Sequence, residues 1–149
     1  MGAGRGQRIA RIINGPAGSI GAGLPFAVAT KLAHPDSLVI AAMGDGTFGF
    51  HMAELDTAVR HRLPIVVLIG NDACWNAEHQ IQLRTYGPAR AHGCELLPSR
   101  YEEVARALGG DGRFVEVASE LPDALAEAIA AQQPACINVA ISRAAAPRL

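Results

Sequence analysis

The sequence has few aromatic residues, no dense basic cluster and no long apolar run. Aromatic residues make up 5% of the chain, so its hydrophobic half consists mainly of Ala, Val, Leu and Ile. The net charge is −1, without the Lys/Arg cluster that nucleic-acid binding requires. The apolar runs are too short to span a bilayer, and no apolar segment of a signal peptide follows Met1. We therefore expect a protein that binds neither nucleic acid nor membranes.

The cysteines do not form a metal-binding or disulfide pattern. Cys74, Cys94 and Cys136 are odd in number and lie far apart, without the CxxC spacing of a metal site. Such cysteines are typical of reduced thiols in a cytoplasmic protein. We expect that location for this chain.

The 149 residues suffice for one domain, and their patterning predicts an α/β fold. Continuous apolar runs are typical of parallel strands buried on both faces. We expect loose tails at 1–8 and 144–149 around a domain at 9–143 with a three-layer α/β/α architecture and a mainly parallel central sheet. The patterns predict strands at 37–43, 65–69, 114–117 and 135–141, and helices at 24–32, 51–61, 101–108 and 121–131. Residues 75–86 are expected to be partly helical, 87–98 a loop, and 9–13 a short strand or a tether.

Two short polar motifs follow two of these strands. Gly44-Asp45-Gly46 comes after the first strand, and Gly70-Asn71-Asp72-Ala73-Cys74 comes after the second. Parallel strands joined by a helix place their carboxyl ends at the same sheet edge, where open α/β sheets bind ligands. The pattern therefore predicts that Asp45 and Asp72 lie close together and can hold a hard cation.

A glycine-rich loop spans residues 14–23 and precedes a helix of small residues. Taken alone, this loop is also consistent with an ordinary strand-to-helix turn. A nicotinamide-binding Rossmann domain is excluded, because no Gly-x-Gly-x-x-Gly follows the first strand with an acidic residue about twenty positions later.

The glycine loop, the Gly-Asp-Gly and the Asn-Asp together resemble the C-terminal, diphosphate-binding domain of thiamine-diphosphate-dependent enzymes. The similar group contains acetolactate synthase, pyruvate decarboxylase and benzoylformate decarboxylase. The resemblance is close over residues 15–87, and the 27 residues from Asp45 to Asp72 fit the family's motif without a gap. It implies the thiamine-diphosphate-binding fold, here without its first strand and helix.

The resemblance implies thiamine diphosphate and Mg²⁺ as cofactors. The implied metal ligands are the Asp45 carboxylate, the Asp72 side chain and the Cys74 backbone carbonyl. The family usually has Asn at the position of Asp72, so this chain carries an additional carboxylate. The implied cofactor-binding residues are Gly18, Ser19, Ile20, Gly44, Asp45, Gly46, Thr47, Asn71, Asp72, Cys74 and Trp75, with the Gly46 and Thr47 N–H groups donating to phosphate oxygens.

Three residues have catalytic roles by resemblance. The Gly18 carbonyl is expected to accept a hydrogen bond from the aminopyrimidine, and Ile20 to lie as a wedge between the two rings of the cofactor. Glu78 corresponds to an active-site glutamate that relays protons in pyruvate decarboxylase-like enzymes. A solvated helix glutamate is the alternative for Glu78.

The implied function is lyase or transferase chemistry on 2-oxo acids, by decarboxylation or acetolactate synthase-like carboligation. The glutamate that activates the cofactor in the family has no counterpart in this chain. We therefore expect a pyrimidine-binding domain on another chain or in a missing N-terminal region, a homo- or hetero-oligomer, and no activity of the isolated chain. The chain is expected to be a fragment, a truncated reading frame or a subunit of a split enzyme. The alternatives are an acyl-CoA lyase, a 2-oxoacid oxidoreductase subunit, and a non-catalytic subunit that retains the fold.

Overall fold

A computed structural model of the chain describes residues 10–13 and 18–145. Its sheet contains four parallel strands in the order β1-β2-β4-β3. The strands are β1 (Val39–Gly44), β2 (Ile65–Asn71), β3 (Asp111–Val115) and β4 (Ala135–Ala140). The helices are α1 (Gly23–Ala33), α2 (Asp45–His51), α3 (Glu54–Arg60), α4 (Asn76–Tyr86), α5 (Tyr101–Ala107) and α6 (Leu121–Ala130), with short 3₁₀ turns at Pro88–Arg90 and Ala118–Glu120.

Within the described ranges, the core consists of two clusters that together involve five of the six helices. Residues of α1, α2, α3 and α5, including Leu24, Phe48 and Leu55, form the larger cluster with alternate residues of β1 and β2. In the smaller cluster, Ala124 and Ala128 of α6 join residues of β2, β3 and β4. The predicted three-layer α/β/α fold with a parallel sheet is thereby confirmed. In contrast, α4 contains no buried residue.

The helix predicted at 51–61 begins later than expected, at Glu54, and ends at Arg60. A separate helix precedes it and ends at His51. Between the two, the Leu55 N–H donates to the Met52 carbonyl and the Asp56 N–H to the Ala53 carbonyl, the tighter i to i+3 pattern. The first of them begins at Asp45 itself, directly after the extended Gly44, and not after a loop. Asp45 therefore belongs to the first turn of α2, where the helix dipole favours a carboxylate.

Other boundaries differ from the predictions by a few residues. The strand expected at 114–117 begins earlier, at Asp111, and ends at Val115. Residues 10–13 form neither helix nor strand, which agrees with a tether, whereas Ile9 and residues 14–17 of the glycine loop lie outside the described residues. Arg143 donates hydrogen bonds to the Asp72 and Ala73 carbonyls just after β2, and the Ala144 carbonyl accepts one from Asn76 Nδ2 at the start of α4. In the described part of the chain, every helix is too short or too polar to cross a membrane.

Gly112 allows α5 to pack directly against β3. A Cβ atom built on Gly112 would lie 2.1 Å from the backbone oxygen of Glu102. Neither backbone can yield easily, because Glu102 is in α5 and Gly112 is paired with Cys136 of β4. A side chain at this position would therefore separate the helix from the sheet.

We expect Gly112→Ala to lower the free energy of unfolding by about 3 kcal/mol, the cost of overpacking a rigid contact. Gly49→Ala is the matched control, since a Cβ on Gly49 in α2 has no atom within 4 Å. This second variant should be neutral or stabilise the chain, because Ala is the better helix former. Urea unfolding of both variants and the wild type makes the measurement. Equal stability of the two variants would contradict the packing argument.

Candidate cofactor and metal site

The two predicted carboxylates meet at the carboxyl edge of the sheet. Strands β1 and β2 are in register up to the pair Gly44 and Gly70. Asp45 directly follows the first of these residues, and Asp72 comes just beyond β2. The two side chains are close enough for the negative charge of Asp72 to raise the pKa of Asp45.

Asp45 is 2% exposed, and its Oδ2 atom has no hydrogen-bond partner among the described residues. Burial raises the pKa of this carboxyl above its usual value, and Asp72 acts in the same direction. Hydrogen bonds from the Gly46 and Cys74 backbone oppose the shift without cancelling it. A buried carboxylate oxygen without a partner is unfavourable. A cation bound at Oδ2 would supply the missing partner, so the residues present fit a metal site.

The chain reverses sharply between Asp72 and Cys74. Ala73 has a φ angle of 53°, in the left-handed region that residues with a side chain seldom adopt. The Trp75 N–H donates to the Cys94 carbonyl at 2.7 Å, and the Leu96 N–H donates to the Ala73 carbonyl at 2.9 Å. Within the described ranges, no residue donates a hydrogen bond to the Cys74 carbonyl. This carbonyl, the third implied metal ligand, therefore has no protein group competing for its oxygen among the described residues.

Asn71 holds this turn from the inside. Its Oδ1 accepts a hydrogen bond from the Ala73 N–H at 3.2 Å, and its Nδ2 donates to the Ser99 carbonyl at 3.0 Å and to Asn138 Oδ1 at 3.1 Å. The side chain is buried. Its amide is thus committed to the protein interior, and a direct contact of Asn71 with the cofactor stays a prediction.

A buried carboxylate continues this network. Glu102 is fully buried, accepts a hydrogen bond from Asn138 Nδ2 at 2.7 Å, and forms an ion pair with Arg100. Burial alone would raise the pKa of Glu102, but the hydrogen bonds from Asn138 and Arg100 outweigh it, so the pKa is lowered. The carboxylate therefore stays charged and fixes Asn138, which in turn contacts Asn71.

Trp75 packs on the first turn of α2. A Cβ built on Gly46 would lie 2.7 Å from the indole ring, and the Phe50 ring meets the same indole edge-on with centroids 5.5 Å apart. Gly46 is therefore required for a close approach of α2 to Trp75. The cofactor-binding role predicted for Trp75 remains a prediction, but its packing partner is Gly46.

The glycine loop is tied to the end of α2. Gly18 and Gly21 have φ angles of 62° and 90°, which only glycine adopts readily. His51 Nδ1 lies 3.0 Å from the Gly21 carbonyl oxygen, a hydrogen bond when that nitrogen carries the proton. Ile20, the predicted wedge, leaves 42% of its surface exposed.

The remaining predicted site residues differ in accessibility. Ser19 is exposed in the glycine loop, and Thr47 is partly buried in the first turn of α2. Glu78 is exposed in the first turn of α4. The roles predicted for these three residues stay predictions.

Sequence reasoning missed Glu102, Asn138 and Arg143. Asn138 and Arg143 lie 67 and 71 residues from their partners near the end of β2, and Glu102 lies 36 residues from Asn138. The available signal was the asparagine within the apolar segment 135–141, and it does not specify a partner.

A family model described as the C-terminal TPP (thiamine pyrophosphate) binding domain of thiamine pyrophosphate enzymes matches residues 4–139. The chain belongs to this family. The resemblance inferred from the motifs is thereby confirmed, and thiamine diphosphate, another name for the same compound, is the cofactor of the family.

The relatives of this TPP-binding domain include proteins that are named for two different activities. The chain is 45% identical over 127 residues to the acetolactate synthase large subunit IlvG of Mycobacterium tuberculosis, covering 85% of this chain and 23% of that protein. It is 38% identical over 135 residues to the 2-hydroxyacyl-CoA lyase of Oryza sativa subsp. japonica, covering 88% of this chain and 23% of that protein. The chain thus spans about a quarter of the length of these curated relatives.

A solved structure has the same fold. The thiamine diphosphate-dependent 4-hydroxybenzoylformate decarboxylase of Rhodococcus jostii RHA1 superposes with a TM-score of 0.79 at 28% identity. The match covers 85% of this chain and 24% of that protein.

We expect Gly46→Ala to displace the indole of Trp75, the only tryptophan of the chain, and to shift its fluorescence emission to longer wavelength as the ring becomes exposed. Gly49→Ala, on the same helix, has no atom to displace and serves as the control. Identical emission spectra for the two variants would show that Trp75 does not pack on Gly46.

Proposed function

We propose that this chain is the diphosphate-binding domain of an enzyme that acts on 2-oxo acids, by decarboxylation or by acetolactate synthase-like carboligation. In this proposal the Asp45 carboxylate, the Asp72 side chain and the Cys74 carbonyl would hold Mg²⁺, which would supply the positive charge that the cofactor diphosphate needs. The observation that carries it is the buried Oδ2 of Asp45, which lacks a partner among the described residues and lies near a second carboxylate. Mg²⁺ prefers such oxygen ligands.

The other site residues have complementary roles in this proposal. The N–H groups of Gly46 and Thr47 would donate to phosphate oxygens, the first of them in place of its hydrogen bond to Asp45. The Gly18 carbonyl would accept a hydrogen bond from the aminopyrimidine, and Ile20 would lie as a wedge between the two rings of the cofactor. When bound, thiamine diphosphate supplies the electron sink for cleavage next to a carbonyl group. Glu78, exposed in the first turn of α4, is the proposed proton relay.

We further propose that a pyrimidine-binding domain, from another polypeptide or another region of a longer protein, completes the active site. The match to only 23% of the length of the named synthase and lyase supports further domains. In this proposal the isolated chain has no turnover, and the assembled enzyme is an oligomer.

Acyl-CoA lyase activity is the second candidate. The 38% identity to a 2-hydroxyacyl-CoA lyase supports it, and the metal and diphosphate contacts would be the same. A subunit that has lost cofactor binding is less consistent with the structure, because a buried, unpartnered Asp45 is costly unless a cation binds there.

Asp45→Asn tests the metal site. The substitution removes the buried charge, so we expect the affinity for Mg²⁺ in the presence of thiamine diphosphate to fall by more than about 100-fold. Calorimetric titration with and without Mg²⁺ measures the change. Asp72→Asn, which restores the usual residue of the family, should retain binding. Equal affinities of wild type and Asp45→Asn would refute the assignment.

Without metal at neutral pH, Asp45→Asn should have a free energy of unfolding about 1 kcal/mol higher than that of the wild type. The pKa of Asp45 is raised in the folded state, so the native protein holds this proton more tightly than the unfolded chain. The wild type therefore loses stability as the pH rises from the ordinary carboxyl pKa through the raised one, whereas Asn does not titrate. The stability difference between variant and wild type should grow with pH over that range. A difference that is constant with pH would contradict the raised pKa.

Ile20→Ala tests the wedge. We expect unchanged Mg²⁺-dependent binding of the diphosphate but roughly tenfold slower deuterium exchange at the reactive thiazolium carbon, because the two rings are no longer held in place. The measurement requires the enzyme assembled with its pyrimidine-binding domain. Leu32→Ala, at another exposed aliphatic residue, is the control. Exchange as fast as in the wild type would assign Ile20 to ordinary packing.

A further inference from the structure

Arg143 reaches back from beyond β4 to the turn that follows β2. Its Nε donates a hydrogen bond to the Asp72 carbonyl at 2.9 Å, and its Nη2 donates to the Ala73 carbonyl at 2.8 Å. A guanidinium presents its donors in a rigid planar fork. One side chain therefore fixes two successive carbonyl groups of the turn.

These two peptide groups determine where the next carbonyl lies. The left-handed φ of Ala73 is unfavourable for an alanine, so the turn persists only where surrounding contacts hold it. The Ala73 carbonyl is held by both Arg143 and the Leu96 N–H. The carbonyl of Cys74 follows and is the one left without a donor among the described residues.

The charge of Arg143 is balanced by Glu95 and not by Asp45 or Asp72. Its Nη1 lies 3.2 Å from Glu95 Oε1, and both side chains are exposed. Its other described hydrogen bonds go to backbone carbonyls. The guanidinium thus holds the turn without occupying the Asp45 oxygen that lacks a partner.

We propose that Arg143 is a positioning residue of the metal site, which fixes the Asp72–Cys74 turn so that the Cys74 carbonyl is preorganised to bind the cation. The inference rests on the proposed function, because it assumes a cation at Asp45. Residues that orient metal ligands from behind contribute to metal affinity without touching the metal.

The test is a Mg²⁺ titration of the full 149-residue chain with saturating thiamine diphosphate, followed by backbone amide NMR, which measures weak affinities. Arg143→Ala should weaken Mg²⁺ binding by about tenfold. Arg143→Lys should recover part of the loss, because an ammonium lacks the fork and reaches one carbonyl. The unfolding midpoint without metal should fall only slightly, because Asn71 and the Leu96 N–H still hold the turn when the Arg143 side chain is removed.

Two control variants separate the fork from charge alone. Glu95→Gln removes the ion pair and keeps both carbonyl contacts, so binding should stay close to the wild type. Arg113→Ala removes a different exposed arginine, which pairs with Glu127, and should have no effect. An equal loss in Arg143→Ala and Arg113→Ala would indicate a general charge effect and overturn the inference.

A parallel titration of Asp45→Asn distinguishes failure of the role proposed for Arg143 from failure of the metal site itself. If Asp45→Asn loses Mg²⁺ binding while Arg143→Ala binds like the wild type, the metal site stands and the role of Arg143 is refuted. If Asp45→Asn binds Mg²⁺ like the wild type, the metal site itself is refuted and this inference with it. Loss in both variants, with Arg113→Ala unaffected, supports the proposal.

Discussion

The carboxylate of Asp45 is the constraint on which the rest of the site depends. It is buried at the start of α2, close to Asp72, with one oxygen that no described residue satisfies. Burial and a neighbouring negative charge both disfavour ionisation. A site with this arrangement is less stable when empty than when a cation is bound, and the surrounding structure must supply the stability that Asp45 does not. Such opposition between local stability and binding is common at functional sites.

That stability comes from contacts on two sides of the turn after β2. Beneath it, Glu102 orients Asn138, and Asn138 bonds Asn71, whose Oδ1 accepts the Ala73 N–H. Outside it, Arg143 holds the carbonyls of Asp72 and Ala73. The inner network is fully hydrogen-bonded around a charged group, and such networks are rigid because breaking one member leaves a buried charge. The turn is thus held from both sides, while the Cys74 carbonyl has no hydrogen-bond donor among the described residues.

The sequence allowed the parallel fold and the meeting of Asp45 and Asp72 to be predicted, because both depend on local apolar runs and on the geometry of consecutive parallel strands. It did not allow the supporting residues to be predicted. Asn138 lies 67 residues from Asn71, and Arg143 lies 71 residues from Asp72, so only the folded chain brings them together. The later start of the helix predicted at 51–61 was missed for a different reason: apolar spacing does not show where i to i+4 hydrogen bonds give way to i to i+3 bonds.

The short helix α2 links the two parts of the proposed cofactor site. Asp45 begins this helix at the metal end, and His51 ends it within 3.0 Å of the Gly21 carbonyl, next to the loop that carries Ile20. Gly46 and Trp75 fix the lateral position of the helix, because no side chain fits between them. A displacement of α2 would therefore change the position of the carboxylate and of the glycine loop together. Because α2 is a regular helix of seven residues, it sets the distance between Asp45 and His51, the residue that contacts the glycine loop. A regular helix keeps such a distance more constant than a flexible loop would.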